Sequence, residues 1–366
     1  MNLEVLRIER FRNIAMLEFF PHAAMNFIVG SNGSGKTSLL EALSVLSTLR
    51  SFRDNKKQAL VQFGKPQAFL HASVTDGVSH ATVDMEIADT RFTRVAMNGK
   101  NLKSGSQYLR QNMRSHAVVF HPSDHELIRL DARFRRRYFD HLLAAEDTQY
   151  GVHLRDYARA LVQRNALLRD TLQTSHTQQM IRSLGTILIE RGTDIIFTRL
   201  KWIEKCNRLL PILWENAQYC SLQYSVVCSH DRDGIHHFLS ESFKKVQQAE
   251  VRARVTLSGP HRDDVHFFFH GKPLRYASQG EGRLFLLALK LAEVQLYCDT
   301  GRKPLFLLDD FSSELDSVHR SMLMHTLRSQ RLQVFVTTTD RESIPSDAQV
   351  VEMCYGNLRG GRLHDN

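Results

Sequence analysis

Asn26-Phe27-Ile28-Val29-Gly30-Ser31-Asn32-Gly33-Ser34-Gly35-Lys36-Thr37-Ser38-Leu39-Leu40-Glu41-Ala42 is the stretch that decides how this chain folds. Asn26 to Val29 reads as a buried strand ending at Gly30. From near Lys36, Leu39, Leu40, Ala42, Leu43 and Leu46 recur as they do on a helix. Between the two, Gly30 to Thr37 fits the pattern G-x-x-x-x-G-K-[ST]. Its glycines let successive backbone N–H groups converge on an anion without Cβ clashes, and the following helix points the positive end of its dipole at the same spot. Gly30, Ser31, Asn32, Gly33, Ser34, Gly35, Lys36, Thr37 and Ser38 are therefore candidates for holding the phosphates of a nucleotide. Lys36 supplies a point charge for the outer phosphates and the Thr37 hydroxyl a ligand for Mg²⁺.

Upstream of this loop, Leu3, Val5, Leu6 and Ile8, and then Met16 to Phe20, read as strands. Downstream, residues 68–98 alternate polar and apolar with turn signals at Asp76-Gly77 and Asn98-Gly99, which predicts antiparallel sheet. From about 131 to 215 glycines are few and apolar residues recur at helical spacing, as in Leu154, Tyr157, Ala158 and Leu161. No heptad survives more than a few turns, so a long coiled coil is not expected. The β/α alternation returns from about 251. The reading is an α/β fold: a P-loop ATPase domain from residues 1–125 and 251–366, with an antiparallel β subdomain, and a mostly helical insertion over 126–250.

Two further motifs bear on the chemistry. Leu305-Phe306-Leu307-Leu308-Asp309-Asp310 is an apolar strand ending in two carboxylates. A buried strand followed by a polar loop is common, but beside a phosphate loop Asp309 is placed to hold Mg²⁺ and Asp310 to orient or deprotonate an attacking water. Ser278-Gln279-Gly280-Glu281-Gly282 precedes a long apolar helix and resembles the signature loop of ABC ATPases. Ala277, Gln279 and Glu281 depart from that loop's pattern, and a Ser followed by an acidic residue is also a plain helix start. Ser313-Glu314-Leu315-Asp316 resembles the loop that follows the acidic strand in the same ATPases. In such ATPases two heads stack head to tail. The resemblance therefore implies an ATP-dependent homodimer, in which Ser278 of one subunit reaches the γ-phosphate held by Lys36 of the other.

The resemblance narrows further to the head domains of SMC-type DNA repair ATPases, and to the RecF family in particular. It is carried by Leu6-x-Ile8-x-x-Phe11-Arg12-Asn13, by the loop and its helix through Ala42, and by Arg50-Ser51-Phe52-Arg53. Arg135-Arg136-Arg137 with Phe139-Asp140, Gln163-Arg164-Asn165, Gly259-Pro260-His261-Arg262-Asp263-Asp264 and Leu308 to Asp316 continue it over nearly the whole chain. The resemblance implies a DNA-binding protein of recombinational repair and DNA recombination, acting with RecO and RecR to load RecA onto gapped, SSB-coated DNA. Support of DNA replication and of the SOS response follows from that role. It also implies adenine contacts by Arg12 and Asn13.

Composition is consistent with this. The hydrophobic fraction of 42% and the absence of a long apolar run argue against a membrane-embedded chain. The five cysteines are scattered and odd in number, which fits a reducing cytoplasm, and no secretory leader is expected from the first residues. His230, His236 and His237 lie close together, but nothing completes metal-ligand spacing around them. Lys and Arg number 48 against 39 Asp and Glu, a net +9 that matters only where it clusters. It clusters at Arg50, Arg53, Lys56 and Lys57 and at Arg133, Arg135, Arg136 and Arg137, with Arg155, Arg159, Arg164 and Arg169 along the next helix. These are candidates for sequence-independent contacts to single-stranded or linear double-stranded DNA; the alternative is that some form internal ion pairs.

Asp310 is one methylene shorter than the glutamate many ABC enzymes carry. After Gln333-Val-Phe-Val-Thr, Thr337 to Asp340 stand where a switch histidine is expected. Both points predict slow turnover, raised by DNA. Three rival readings remain at this point. One is the ATPase subunit of a membrane transporter, another a P-loop kinase or GTPase, and the last an ATP-binding scaffold that does not hydrolyse.

Overall fold

A computed structural model describes residues 2–53, 57–88, 92–111, 116–170, 174–213, 215–226, 229–310, 317–341 and 344–359. The chain divides into two compact units, Met1–His125 with Leu286–Asn366, and Glu126–Phe285. The second division falls later than the 250/251 boundary expected from sequence. Strand pairing accounts for the difference, because Val265–Phe269 pairs with Cys220–Tyr224 inside the second unit.

In chain order, the first unit opens with β1 (Asn2–Phe11) and β2 (Ile14–Phe19), joined by the two-residue turn Arg12–Asn13. β3 (Met25–Val29) and α1 (Lys36–Thr48) flank the phosphate loop, followed by β4 (Gln67–Thr75), β5 (His80–Ala88), β6 (Phe92–Met97), β7 (Lys100–Asn101), α2 (Gly105–Leu109) and β8 (Ala117–Phe120). The second unit holds α3 (Glu126–Arg129), α4 (Ala132–Glu146), α5 (Thr148–Arg169), α6 (Ser175–Leu213), β9 (Cys220–Tyr224), α7 (Arg232–Ala253), β10 (Val265–Phe269) and β11 (Lys272–Pro273). Helix α8 (Gln279–Asp299) begins in the second unit and ends in the first. The first unit then continues with β12 (Leu305–Leu308), α9 (Ser317–Ser329), β13 (Val334–Thr338), β14 (Gln349–Cys354) and β15 (Asn357–Arg359).

Two six-stranded sheets form the first unit. One is antiparallel in the order β2-β1-β4-β5-β6-β7, and its alternation of buried and exposed residues along β4 and β5 is the period the sequence shows. The other runs β15-β14-β3-β13-β12-β8 and is parallel except for the β14–β15 pair. Every residue of β3, β12 and β13 is buried, which is why these segments are mostly apolar without alternation, broken only by Asn26 in β3 and by Thr337 and Thr338 at the end of β13. Helix α1 is buried over most of its surface, and its Leu39, Leu40 and Leu43 share one core with Leu6 and Phe11 of one sheet and Ile28, Leu307 and Phe335 of the other.

The second unit is mostly helical, with a small sheet in the order β11-β10-β9. Helix α6 is longer than the broken periodicity suggested, at 39 residues. Among the described residues no helix is long and apolar enough to cross a membrane.

Candidate nucleotide site

Register in the parallel sheet builds the site. Leu308 of β12 pairs with Phe120 of β8 on one side and with Val336 of β13 on the other, while Thr337 and Thr338 pair with Ile28 and Val29 of β3. One step beyond these pairs, His121, Asp309, Thr337 and the phosphate loop form a row at the carboxyl ends of four strands, where open α/β sheets bind ligands. β3 and β12 are not neighbours. β13 lies between them, so the acidic strand tip meets the loop across Thr337.

The loop itself is tightly specified. Gly33 and Gly35 hold φ of 79° and 115°, and a Cβ on Gly30 would lie 2.4 Å from the Met353 carbonyl oxygen. The Asn13 amide donates to the Gly33 carbonyl at 3.0 Å and its oxygen accepts from the Ser38 hydroxyl at 2.8 Å, so the β1–β2 turn braces the loop and its helix together. Arg12 (φ 52°) makes two bonds to the fully buried Glu41, Nε to Oε2 at 2.9 Å and a terminal nitrogen to Oε1 at 2.6 Å. Arg12 and Asn13 both line the cleft, with their polar edges engaged in this bracing.

Lys36 is nearly buried, and its ammonium donates to the Gly30 and Ser31 carbonyls at 2.6 and 2.9 Å. Burial lowers its pKa, against the pull of Asp310 and Asp309, which favour the charged form. Thr37 Oγ1 donates to Asp309 Oδ1 at 3.0 Å. Thr337 Oγ1 donates to the same oxygen at 2.7 Å and accepts from the Asp310 N–H at 2.9 Å. That last bond helps hold Asp310 at φ 56°, a left-handed conformation uncommon for aspartate. His121 Nε2 lies 3.4 Å from Asp309 Oδ2, and burial lowers the His121 pKa, with Asp309 opposing.

Lys36, Thr37, Asp309, Asp310 and Thr337 line a cleft of about 930 Å³. Its chemistry suits a polyphosphate with a divalent cation. The Ser34 hydroxyl is buried in the loop without a hydrogen-bond partner, Gly30 leaves no room for a Cβ, and Thr37 and Asp309 present hard oxygens side by side.

The other expected residues fall elsewhere. Ser278 is exposed in the second unit, where its N–H donates to Glu281 Oε2 at 2.7 Å and its Oγ accepts from the Glu281 N–H at 3.2 Å. This reciprocal pair is a capping box. Ser313 to Asp316 lie outside the described residues. Of the basic candidates, Arg50, Arg53, Arg133 and Arg137 are exposed, while Lys56 and the Lys57 side chain lie outside the described residues.

Arg135 and Arg136 have internal partners. Arg135 makes a two-pronged pair with Asp264 at 2.7 and 2.8 Å and donates to the Leu127 and Leu130 carbonyls, and Arg136 donates to the Asp263 carbonyl at 2.5 Å. Arg164 is likewise buried against Glu250. The Arg135 donors meet internal acceptors from all three nitrogens, which leaves that guanidinium little to offer a phosphate, whereas Arg136 is held by one bond. His121, Thr337 and Glu41 are the site residues that sequence reading missed.

The profile of the "RecF/RecN/SMC N terminal domain" family matches residues 2–357. The DNA replication and repair protein RecF of Chlorobaculum parvum is 33% identical over 353 residues, covering 93% of this chain and 95% of its own length. This chain belongs to the RecF family. A solved structure of RecF-ATP, a recombination mediator protein in the RecFOR pathway, superposes with a TM-score of 0.84 at 28% identity, covering 98% of both chains. The Smc head domain of Pyrococcus furiosus shares the fold at a TM-score of 0.53 and 14% identity, over 98% of this chain and 95% of its own. The RecF-family architecture is thus an ABC-type P-loop ATPase head of the SMC kind. Family membership sets aside the transporter subunit and the single-site kinase or GTPase.

Proposed function

We propose that this RecF-family chain is an ATP-dependent DNA-binding protein of recombinational repair. ATP closes two subunits into a clamp on gapped or linear DNA, which helps load the recombinase together with RecO and RecR and so supports replication and the SOS response. The observation that carries the reading is Lys36 and Thr37 at the start of α1 beside Asp309 at the tip of β12 and Thr337 in β13, in a chain that superposes on a solved structure of RecF-ATP.

In this reading Lys36 and the loop N–H groups bind the outer phosphates, while Arg12 and Asn13 keep the loop in shape and flank the nucleoside. Thr37 and Asp309 would hold Mg²⁺, which neutralises charge on the phosphate oxygens when bound. Thr337 fixes the Asp309 carboxylate and the Asp310 backbone, so that Asp310 is presented to orient a water. Ser278 acts from a second subunit: its capped, exposed helix start directs N–H groups and a dipole outward. Asp310 has short reach, which supports slow turnover timed to the opening of the clamp.

DNA contact is assigned to exposed cations, Arg50 and Arg53 in the first unit and Arg133 and Arg137 in the second. Fluorescence anisotropy with a labelled oligonucleotide and ATP tests this. The affinity is expected to fall by about 10³-fold or more between 50 and 200 mM salt if six or more phosphates are contacted. An affinity that ignores salt contradicts the assignment.

A further inference from the structure

Glu41 sits on α1 at the centre of an arrangement that binding of phosphates alone does not require. Its carboxylate is completely buried, a costly position unless the charge is fully paired. On one side it takes both bonds from Arg12, which lines the nucleotide cleft. On the other it accepts from the Ser51 hydroxyl at 2.5 Å and faces Arg53 at 3.8 Å. The Ser51 oxygen in turn accepts from the Arg53 N–H at 2.9 Å, closing the short segment on itself. Between them, the Phe52 ring packs on His121 with centroids 4.7 Å apart, and His121 faces Asp309. Segment 51–53 therefore has two attachments to the nucleotide site, one ionic through Glu41 and one through His121. The same stretch carries Arg50 and Arg53, exposed cations whose positions must follow it.

We propose that Glu41 is a positioning residue that links the nucleotide cleft to the basic segment 50–53, so that the gain in DNA affinity on ATP binding passes through its carboxylate. Arg12 is locked by two short bonds. Arg53, at the long end of ion-pair distance and 43% exposed, is the looser partner, and it also lines the cleft. A shift of Arg12 or of the loop changes the field that Arg53 and Ser51 share, and the segment moves with it. The inference rests on the reading that ATP and DNA binding are coupled.

The test measures DNA affinity with and without ATP, and ATP affinity separately, for wild type, Glu41→Gln and Ser51→Ala. Ser51→Ala cuts only the segment side of the node and leaves the Arg12–Glu41 pair, so it stands in if the buried Glu41 variant folds poorly. In wild type ATP should raise DNA affinity by about 5- to 150-fold, the usual span of coupling between sites. Both variants should lose most of that gain, with Ser51→Ala keeping its ATP affinity, which a merely structural defect would not do. Variants that fold, bind ATP and keep the full gain overturn the role of Glu41. A wild type with no gain at all overturns the coupling itself, and the node with it.

Discussion

In the first unit the phosphate loop, Asp309 and Asp310 open onto a cleft, with one buried hydroxyl of the loop, Ser34, left unsatisfied. In the second unit an equally dense set of polar residues closes on itself. Arg199, almost completely buried, donates to Asp140 at 2.6 Å, to the Tyr150 and Tyr224 hydroxyls at 3.1 Å and to the Pro260 carbonyl at 3.0 Å. Tyr224 donates to Asp263 at 2.7 Å, His261 meets Tyr157 at 2.6 Å, and Asn165 takes both the N–H and the hydroxyl of Thr256 at 2.8 Å. Gly259 holds φ 120°, where a Cβ would press on the Tyr157 hydroxyl. The run Gly259 to Asp264 is as distinctive in sequence as the phosphate loop, yet its groups hold the helical unit together. Access separates the two regions: chemistry stays available where convergent polar groups line a cleft.

The widest break in that comparison comes from Arg199→Leu. It leaves Asp140 and Asp263 facing a buried site without their cation, and the unfolding free energy should drop by about 3–5 kcal/mol in denaturant titration. Asp309→Asn should do the reverse. ATP turnover should fall about 100-fold or more while the thermal midpoint moves little, because the amide keeps the side chain's shape and an oxygen for the Thr37 and Thr337 hydroxyls. Thr337→Val lies between, losing one bridge to Asp309 and one to the Asp310 N–H. A loss of about 1 kcal/mol in stability is expected together with slower turnover, read by the same two assays.

pH sharpens the contrast. Burial pushes the His261 pKa down to about 4, so the imidazole is neutral in the folded second unit. The unfolded chain binds the extra proton first as pH falls below the ordinary histidine value near 6.5. The contribution of His261 is therefore complete above that value and is lost as pH falls toward about 4. The thermal midpoint of His261→Gln, followed from pH 7 to 4.5, should fall less than that of wild type. The smallest effects concern the cluster after Asp131. Arg133→Ser should lower the salt slope of DNA binding by about one unit without altering stability. Arg135→Ser should lower stability and leave the slope alone.

Much of the first unit was legible because its signals are local. A strand, a glycine loop and a helix sit within seventeen consecutive residues, and β12 announces itself by ending in two aspartates. His121 and Thr337 were not legible, because only strand register brings them beside Asp309 from distant segments. His121 follows the end of β8 rather than β13, after which a switch histidine is expected. Glu41 reads as one more helix residue until Arg12 and Ser51 are seen to converge on it. Arg135 carries the same letter as Arg133 and Arg137, and its partner Asp264 lies far along the chain. The second unit extends past residue 250 for a similar reason, since the pairing of β9 with β10 is nonlocal.

The central claim is a site completed by a second subunit under the control of ATP. Light-scattering mass tests it most directly, measured with ATP, with ADP, and with ATP after Lys36→Met, each with and without linear DNA. A mass twice the 42.1 kDa of one chain is expected only with ATP, and that doubling should fail in the variant. A single-chain mass under every condition would contradict it, and Ser278 would then have no part in the nucleotide site.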